Sequence, residues 1–175
     1  MYKRQALYGI LILSFTKGFD QLEYQAAEKD KRETQFSILI PFRNEAHNLT
    51  RLLNSLAALD YPRNKTEIIL INDHSADDFE QVINKAKQDH KDLNVSLIHN
   101  TSVGASPKKE AIELGLSKAS NPWIITTDAD CIVPKSWLLA FDGFIGSSSP
   151  KMIVAPVTYF PGKRFLDTFQ LLDFI

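Results

Sequence analysis

Two aspartates one residue apart, Asp128 and Asp130, follow the apolar run of residues 123–127, which has the length and composition of a strand. Carboxylates held this close repel each other, and a divalent cation removes that repulsion. Mg2+ and Mn2+ accept one or two protein carboxylates and leave positions for water and substrate phosphates. The spacing therefore indicates a metal site for a diphosphate. The alternative is an acidic turn in which one carboxylate caps the following element.

Polar residues also follow two earlier apolar runs. Arg43 and Glu45 come after residues 36–41, and Asp73 comes directly after residues 67–72. The Asp73 carboxylate can accept a hydrogen bond from a base N–H or a ribose hydroxyl, although an Asx turn would use the same residue. Glu45 would complement the dipole of a following helix without any ligand. Each of these residues, taken alone, has an ordinary structural explanation. The prediction of a binding site rests on their common position directly after predicted strands.

Lys108 and Lys109 lie in the first turn of a predicted helix, after Ser106 and Pro107, which are typical of a helix start. Cations at this end of a helix oppose its dipole by about 0.3–1 kcal/mol each. An anion bound at the helix start would reverse the sign of that interaction. The two lysines therefore indicate a phosphate group here, and two solvated lysines are the alternative.

Strand-like and helix-like segments alternate from residue 36 onwards. Apolar runs at 36–41, 67–72, 95–98 and 123–127 predict strands, and helical segments are predicted at 46–59, from Ser75 onwards, and at 106–119. This alternation predicts an α/β fold, a mostly parallel sheet with helices on both faces. Ligands bind such sheets at the carboxyl ends of the strands, so we expect the polar clusters on one rim.

The composition excludes several classes of protein. The net charge is −1 and no long basic run is present, so we do not expect nucleic acid as a partner. A single cysteine, Cys131, excludes an internal disulfide framework and a cysteine zinc cluster, and we expect it to be a small buried apolar side chain. The glycine-rich fingerprints of P-loop and dinucleotide-binding proteins are absent. Of the four histidines, only His74 falls on the expected rim.

The N-terminal apolar run, residues 6–15, is shorter than the roughly 20 residues that span a bilayer. No small-residue cleavage pattern follows it, as a signal peptide would require. We expect residues 1–18 to be a truncated membrane helix whose first residues are non-native, with a short amphipathic helix as the alternative. The polar residues 19–35 predict a linker, and residues 36–175 predict one domain that faces the cytoplasm.

Four motifs of the chain, in the same order, resemble those of family 2 glycosyltransferases of the GT-A fold. Residues 38–45 (ILIPFRNE) are similar to the family's opening strand and its Pro-x-x-Asn-Glu. Residues 71–75 (INDHS) are similar to its Asp-Asp-x-Ser, with Asn72 in place of the first aspartate. Residues 107–116 (PKKEAIELGL) are similar to its Gly-Lys helix start, with Pro107 in place of glycine, and Asp128-Ala129-Asp130 takes the place of its Asp-x-Asp.

The resemblance implies an inverting transfer of a sugar from a UDP-sugar or GDP-sugar to an acceptor hydroxyl on a glycan or lipid. It places Asp73 at the base and ribose, with Pro41, Arg43 and Glu45 nearby. It also places Lys108 near the donor, Asp128 on the nucleotide sugar, and Asp130, assisted by Asp128, on a divalent metal, Mg2+ or Mn2+.

The family's general base, an acidic residue downstream of the Asp-x-Asp, has no matching motif before Ile175, and the Gln-x-x-Arg-Trp motif is absent. Asp167 and Asp173 lie on an apolar stretch with helical spacing, and we assign neither as the base. We therefore expect a domain that is incomplete at its C-terminus and binds donor better than it transfers sugar.

Two alternatives stay open. One is a sugar-nucleotide pyrophosphorylase or related nucleotidyltransferase, whose glycine-rich, arginine-containing loop after the first strand is missing here. The other is a non-catalytic remnant that only binds the donor.

Overall fold

A computed structural model describes residues 32–102 and 106–158, together with residues 5, 8–11 and 13–14 near the N-terminus. The described residues from 32 onwards form four strands and four α-helices. In chain order these are β1 (Phe36–Phe42), α1 (Ala46–Ala57), β2 (Thr66–Asn72), α2 (Phe79–Asp89), β3 (Val95–His99), α3 (Pro107–Lys118), β4 (Trp123–Thr126) and α4 (Trp137–Ser148). A 3-10 turn, Arg63–Lys65, precedes β2.

The four strands form one parallel sheet in the order β3-β2-β1-β4. Strand β1 lies between β2 and β4 and pairs with β2 along its whole length, from Phe36 opposite Thr66 to Phe42 opposite Asn72. Its residues are buried on both faces, which is why the sequence reads as a continuous apolar run. The predicted α/β fold with a parallel sheet is confirmed, and its strand boundaries agree to within one residue.

The sheet carries helices on both faces, as predicted. Alternate residues of β1, such as Ile38 and Ile40, pack in the larger core cluster with the buried leucines of α1 and with Leu138 of α4. Leu39 points to the other face, where it packs in a smaller cluster with Ala111 of α3. Period-two alternation along a buried strand thus divides its side chains between two cores.

The chain reverses direction across the sheet after β3. The first three strands lie side by side in sequence order, whereas β4 lies on the far side of β1. Right-handed crossovers therefore place α3 on the face opposite α1 and α2. The strand order reverses between the neighbouring strands β1 and β4. Open α/β sheets bind ligands at the carboxyl ends of the strands at such a switch point.

Gly115 allows α3 to approach the sheet closely. A Cβ atom at this position would lie 2.6 Å from Ile71 Cδ1 and 3.3 Å from both Leu39 methyl carbons. Because any side chain would meet these buried groups, glycine here serves packing despite its low helix propensity.

Two features differ from the sequence-based expectation. Helix α2 begins at Phe79 with Asp78 as its N-cap residue, and not at Ser75. Ser75 lies four residues before the helix, and its hydroxyl instead accepts a hydrogen bond from the backbone N–H of Asn44, 2.9 Å away. Helix α4 is not predicted by an amphipathic pattern, because apolar residues surround most of its axis.

The structure describes only the last four residues of the predicted linker, and these contact the domain. The backbone N–H of Thr34 donates to Asp142 Oδ1 at 2.9 Å, and the Tyr61 hydroxyl lies 2.8 Å from the Thr34 carbonyl oxygen. Arg32 forms an ion pair with Asp60 at 3.0 Å. Residues 32–35 therefore run along the amino ends of the strands before β1 begins.

Nearer the N-terminus, residues 8–11 and 13–14 are helical. Among the described residues, no helix has the length and apolar character needed to cross a bilayer. The truncated membrane helix stays a prediction. Asp167 and Asp173 lie outside the described residues.

Candidate functional site

A pocket of about 300 Å3 opens at the carboxyl ends of β1, β2 and β4. Its volume is at the lower end of the range for small-molecule sites. The structure brings together all seven predicted site residues here, with Phe42 and Ala129 beside them. The lining consists of Pro41, Phe42, Arg43, Glu45, Asp73, Lys108, Asp128, Ala129 and Asp130.

The Asp-x-Asp segment follows β4 and holds two exposed carboxylates on either side of a buried alanine. Ala129 is 4% exposed and packs in the larger core cluster, whereas Asp128 and Asp130 are exposed. The buried methyl group fixes the backbone, so both carboxylates are presented to the same pocket. Asp128 Oδ1 accepts a hydrogen bond from Lys108 Nζ at 2.7 Å.

Asp73 is the most enclosed carboxylate of the pocket, with 6% of its surface exposed. Its Oδ1 accepts a hydrogen bond from Asn100 Nδ2 at 2.9 Å and lies 3.1 Å from His74 Nδ1. Its backbone N–H donates to the Phe42 carbonyl oxygen at 2.9 Å. Among the described residues, the hydrogen bonds to this carboxylate fall on Oδ1, so Oδ2 is available to a ligand.

Glu45 lines the pocket at the start of α1, where it occupies the N-cap position. Its Oε2 accepts a hydrogen bond from Asn48 Nδ2 at 2.7 Å, and its carbonyl oxygen accepts one from the Asn48 backbone N–H at 2.9 Å. The side chain therefore stabilises the helix start while it faces the pocket. Arg43, two residues earlier, is exposed.

Lys108 and Lys109 lie at the start of α3 and have different partners. Lys108 pairs with Asp128 across the pocket, whereas Lys109 Nζ lies 3.7 Å from Glu113 Oε1 on the same helix. Each charge that opposes the helix dipole thus has an acidic partner. A larger, more open groove of about 660 Å3 runs along the outer side of α3, but of the seven predicted residues only Lys108 lines it. The predicted site residues are therefore concentrated in the smaller pocket.

Asn100 is a site residue that the sequence-based reasoning missed. It is 5% exposed, directly follows β3, and donates to Asp73. A broader form of the criterion that identifies Asp73, a polar residue directly after any strand, would also have found Asn100.

Cys131 differs from its prediction as a buried apolar side chain. It is partly exposed, and its Sγ lies 3.8 Å from Asp130 Oδ1. Within the described residues, no group of three or more His, Cys, Asp or Glu side chains is arranged to hold a metal ion.

The fold is an α/β fold of the GT-A type, with a pocket lined by acidic side chains at the switch point of its sheet. The chain belongs to glycosyl transferase family 2, whose model matches residues 37–172.

Two curated relatives illustrate the similarity. Poly(ribitol-phosphate) beta-N-acetylglucosaminyltransferase TarS of Staphylococcus aureus is 29% identical over 111 residues, which are 63% of this chain and 19% of TarS. A probable glycosyltransferase of Sulfolobus acidocaldarius is 32% identical over 116 residues, 66% of this chain and 25% of that protein. The chain spans only about a fifth to a quarter of the length of these relatives.

Two solved structures share the fold. The crystal structure of S. aureus TarS in complex with UDP-GlcNAc superposes with a TM-score of 0.59 at 27% identity, covering 66% of this chain and 32% of that chain. The mannosyltransferase PcManGT from Pyrobaculum calidifontis, in complex with GDP-Man and Mn2+, gives a TM-score of 0.67 at 22% identity. That comparison covers 95% of this chain and 47% of the other, and it shows a shared fold.

Proposed function

We propose that this domain binds a nucleoside diphosphate sugar together with a divalent cation and transfers the sugar, with inversion, to an acceptor hydroxyl. The observation that carries the proposal is the single pocket in which residues from three strand ends and the start of α3 meet. In a chain of this family, that pocket supplies hydrogen-bond acceptors, a positively charged side chain and paired carboxylates. These are the groups that a nucleoside, a diphosphate and a metal ion require.

The nucleoside is assigned to the Asp73 side of the pocket. A buried carboxylate held at one oxygen by Asn100 has its other oxygen oriented for a base N–H or a ribose hydroxyl. Pro41, Arg43 and Glu45 form the adjacent wall. The TarS structure with UDP-GlcNAc supports a uridine nucleotide as the first donor to test.

The metal is assigned to Asp130, with Asp128 beside it. Two exposed carboxylates that flank a buried alanine and line the same pocket fit a hard cation that takes its other ligands from water and phosphate oxygens. Such a cation would supply Lewis-acid stabilisation of the departing diphosphate. The ammonium group of Lys108 lies 2.7 Å from Asp128 Oδ1, where it can help to neutralise the negative charge of the phosphates.

We assign no general base among the described residues. The four acidic residues of the pocket, Glu45, Asp73, Asp128 and Asp130, all have a role in holding the helix, the nucleoside or the metal. A base that follows Ile175 stays a proposal, and so does membrane attachment through residues 6–15 with a cytoplasmic domain. The family match gives no support to a pyrophosphorylase, whereas a remnant that only binds the donor remains the alternative.

The experiment that tests the proposal is a titration with UDP and GDP, with and without Mn2+, of the wild-type chain and of Asp130→Asn. We expect binding that depends on Mn2+, and a loss of about tenfold or more in Asp130→Asn. Removal of outer-shell partners of a metal already lowers affinity by about 10- to 100-fold, and a direct ligand contributes at least as much.

Asp89→Asn provides the matched control, because Asp89 is an exposed aspartate at the end of α2, which runs back toward the amino ends of the strands. This variant should bind nucleotide as the wild type does. Nucleotide binding that is independent of Mn2+ and unchanged in Asp130→Asn would exclude the metal assignment.

A further inference from the structure

Two motif residues of the sequence, Asn44 and Ser75, do not line the pocket, although residues on both sides of Asn44 do. Asn44 lies in the loop between β1 and α1, and Ser75 lies in the loop between β2 and α2. Both loops leave the carboxyl ends of neighbouring strands, which end together at Phe42 and Asn72. Their position at the rim without contact to the pocket requires another explanation.

The two residues join the loops by reciprocal hydrogen bonds. The backbone N–H of Asn44 donates to Ser75 Oγ at 2.9 Å, and the backbone N–H of Ala76 donates to Asn44 Oδ1 at 2.8 Å. Ser75 is itself fixed, because its backbone N–H donates to the buried Asn72 side chain at 2.9 Å. We call this pair of bonds between Asn44 and residues 75–76 the loop clasp.

The backbone of Asn44 adopts a conformation that suits few residue types. Its φ is 57°, in the left-handed region where asparagine, aspartate and glycine are favoured. This conformation directs the amide side chain toward the second loop, while Arg43 and Glu45 face the pocket. Asparagine therefore meets two requirements, a left-handed backbone and a hydrogen-bond acceptor.

A third contact links the same loops beside the clasp. The backbone N–H of Ala46, at the start of α1, donates to Asp77 Oδ2 at 2.7 Å. The Asp73 backbone N–H also donates to the Phe42 carbonyl oxygen. The wall that carries Arg43 and Glu45 is thus held against the loop that carries Asp73.

We propose that Asn44 is a positioning residue for the nucleotide site, acting through the loop clasp, an inference that rests on the proposed function. The clasp fixes Arg43 and Glu45 relative to Asp73, so that the nucleoside subsite is formed before a ligand enters. A ligand that would otherwise have to order these two loops binds more tightly to a site already formed.

The test compares UDP binding in the presence of Mn2+ for the wild-type chain and three variants of the clasp. Asn44→Gly keeps the left-handed backbone and removes the acceptor, and we expect it to weaken UDP binding about 3- to 10-fold, as for one lost hydrogen bond. Asn44→Asp keeps both features and should bind UDP more tightly than Asn44→Gly. Ser75→Ala removes the acceptor on the other loop, should weaken binding in the same direction, and decides the question if Asn44→Gly does not fold.

Asn54→Ala is the control for a purely structural loss. Its side-chain oxygen lies 3.0 Å from His90 Nε2 and connects α1 to α2 away from the pocket. The variant loses one contact between elements, as the clasp variants do, but UDP affinity should stay at the wild-type value. Wild-type affinity in both Asn44→Gly and Ser75→Ala would overturn the proposal.

Amide hydrogen exchange separates this inference from the proposed function, because it needs no ligand. The Ala76 amide should exchange faster in Asn44→Gly than in the wild type, and unchanged exchange would show that the clasp does not form. A wild-type chain that binds neither UDP nor GDP would overturn the proposed function and the positioning role. The exchange rates would then still decide whether Asn44 joins the two loops.

Discussion

Lys108 and Asp128 form an ion pair whose side chains are 66% and 56% exposed. Exposed pairs of this kind contribute between about 0 and 1 kcal/mol, because water screens both charges. The pair therefore holds an ammonium group and a carboxylate at the pocket without fixing either. In the proposed complex, Asp128 would contact the metal ion and Lys108 the phosphate group, and the loss of their contact with each other would cost little free energy.

The paired lysines allow a matched test at the residue scale. Lys108→Met should weaken the binding of UDP with Mn2+ by about tenfold, because a hydrogen bond to a charged group contributes about 1.5 kcal/mol or more. Lys109→Met removes the same charge from the next residue, whose partner is Glu113 outside the pocket, and should change the affinity by less than about twofold. Calorimetric titration measures both. Equal losses in the two variants would indicate a general charge effect and not a role for Lys108.

The sequence predicts which residues meet at the pocket because each follows a strand or begins a helix. That rule places Asp73, Lys108 and Asp128 on one rim. It does not predict partners, since the contact between Asn100 and Asp73 depends on the register of β2 against β3, in which Asn72 lies opposite His99. The roles of these residues in binding stay predictions.

At the scale of elements, the packing of α3 depends on Gly115, and Gly146 in α4 offers the comparison. A Cβ added at Gly146 would have no heavy atom within 4 Å, whereas at Gly115 it would overlap Ile71. Gly115→Ala should destabilise the domain by about 1 kcal/mol, since overpacking costs about 1–3 kcal/mol and helix propensity returns about 1 kcal/mol. Gly146→Ala should instead stabilise it by about 0.5–1 kcal/mol.

Urea unfolding of the two variants measures this difference in sign. A Gly115→Ala variant as stable as Gly146→Ala would mean that α3 can move away from the sheet without loss. Its Mn2+-dependent UDP affinity would then report whether Lys108, on the same helix, moves with it.

The elements differ in how well sequence periodicity predicts them. Helix α1 is predicted closely, because its four buried leucines repeat with helical spacing between polar residues. Helix α4 is not, because Trp137, Leu139 and Phe141 lie around Leu138 and leave little polar contrast. The alternation of strands and helices does not determine the order of the strands in the sheet. The same local sequence would allow β4 to pair with β3 or with β1, and the structure shows that it pairs with β1.

At the scale of the whole molecule, two carboxylates stabilise the amino ends of the strands, opposite the pocket. Glu67 accepts hydrogen bonds from the Ser37 hydroxyl and from the backbone N–H and hydroxyl of Ser120. Asp142 accepts them from Thr34 and Tyr61. Burial opposes ionisation of both groups, but these hydrogen bonds outweigh it and hold the pKa of each carboxyl below its ordinary value.

These shifts predict how stability depends on pH. Because the folded-state pKa of each carboxyl is lowered, its ionised form stabilises the fold fully above the unfolded-state pKa of about 4. That contribution is lost as the pH falls through the folded-state pKa. We expect the free energy of unfolding to decrease below about pH 4, and to decrease less in Glu67→Gln, which has already lost one of the two contributions at neutral pH.

Urea unfolding between pH 7 and pH 3 measures this dependence. Glu33→Gln is the control, because Glu33 is an exposed residue of the same region and its loss should leave the dependence unchanged. Parallel curves for the wild type and Glu67→Gln would show that Glu67 does not contribute to acid sensitivity.

The Glu67 network lies at one pole of the sheet, and the paired aspartates lie at the other, with the length of β1 between them. Substitutions that strengthen the first pole change thermostability without altering the residues that line the pocket. At the other pole, Ala129 belongs both to the core, through its buried methyl group, and to the pocket, through its neighbours Asp128 and Asp130. A library designed to raise thermostability can therefore vary the residues around the Glu67 network, provided that Glu67 and its hydrogen-bond partners are kept, and should leave position 129 at the other pole as alanine.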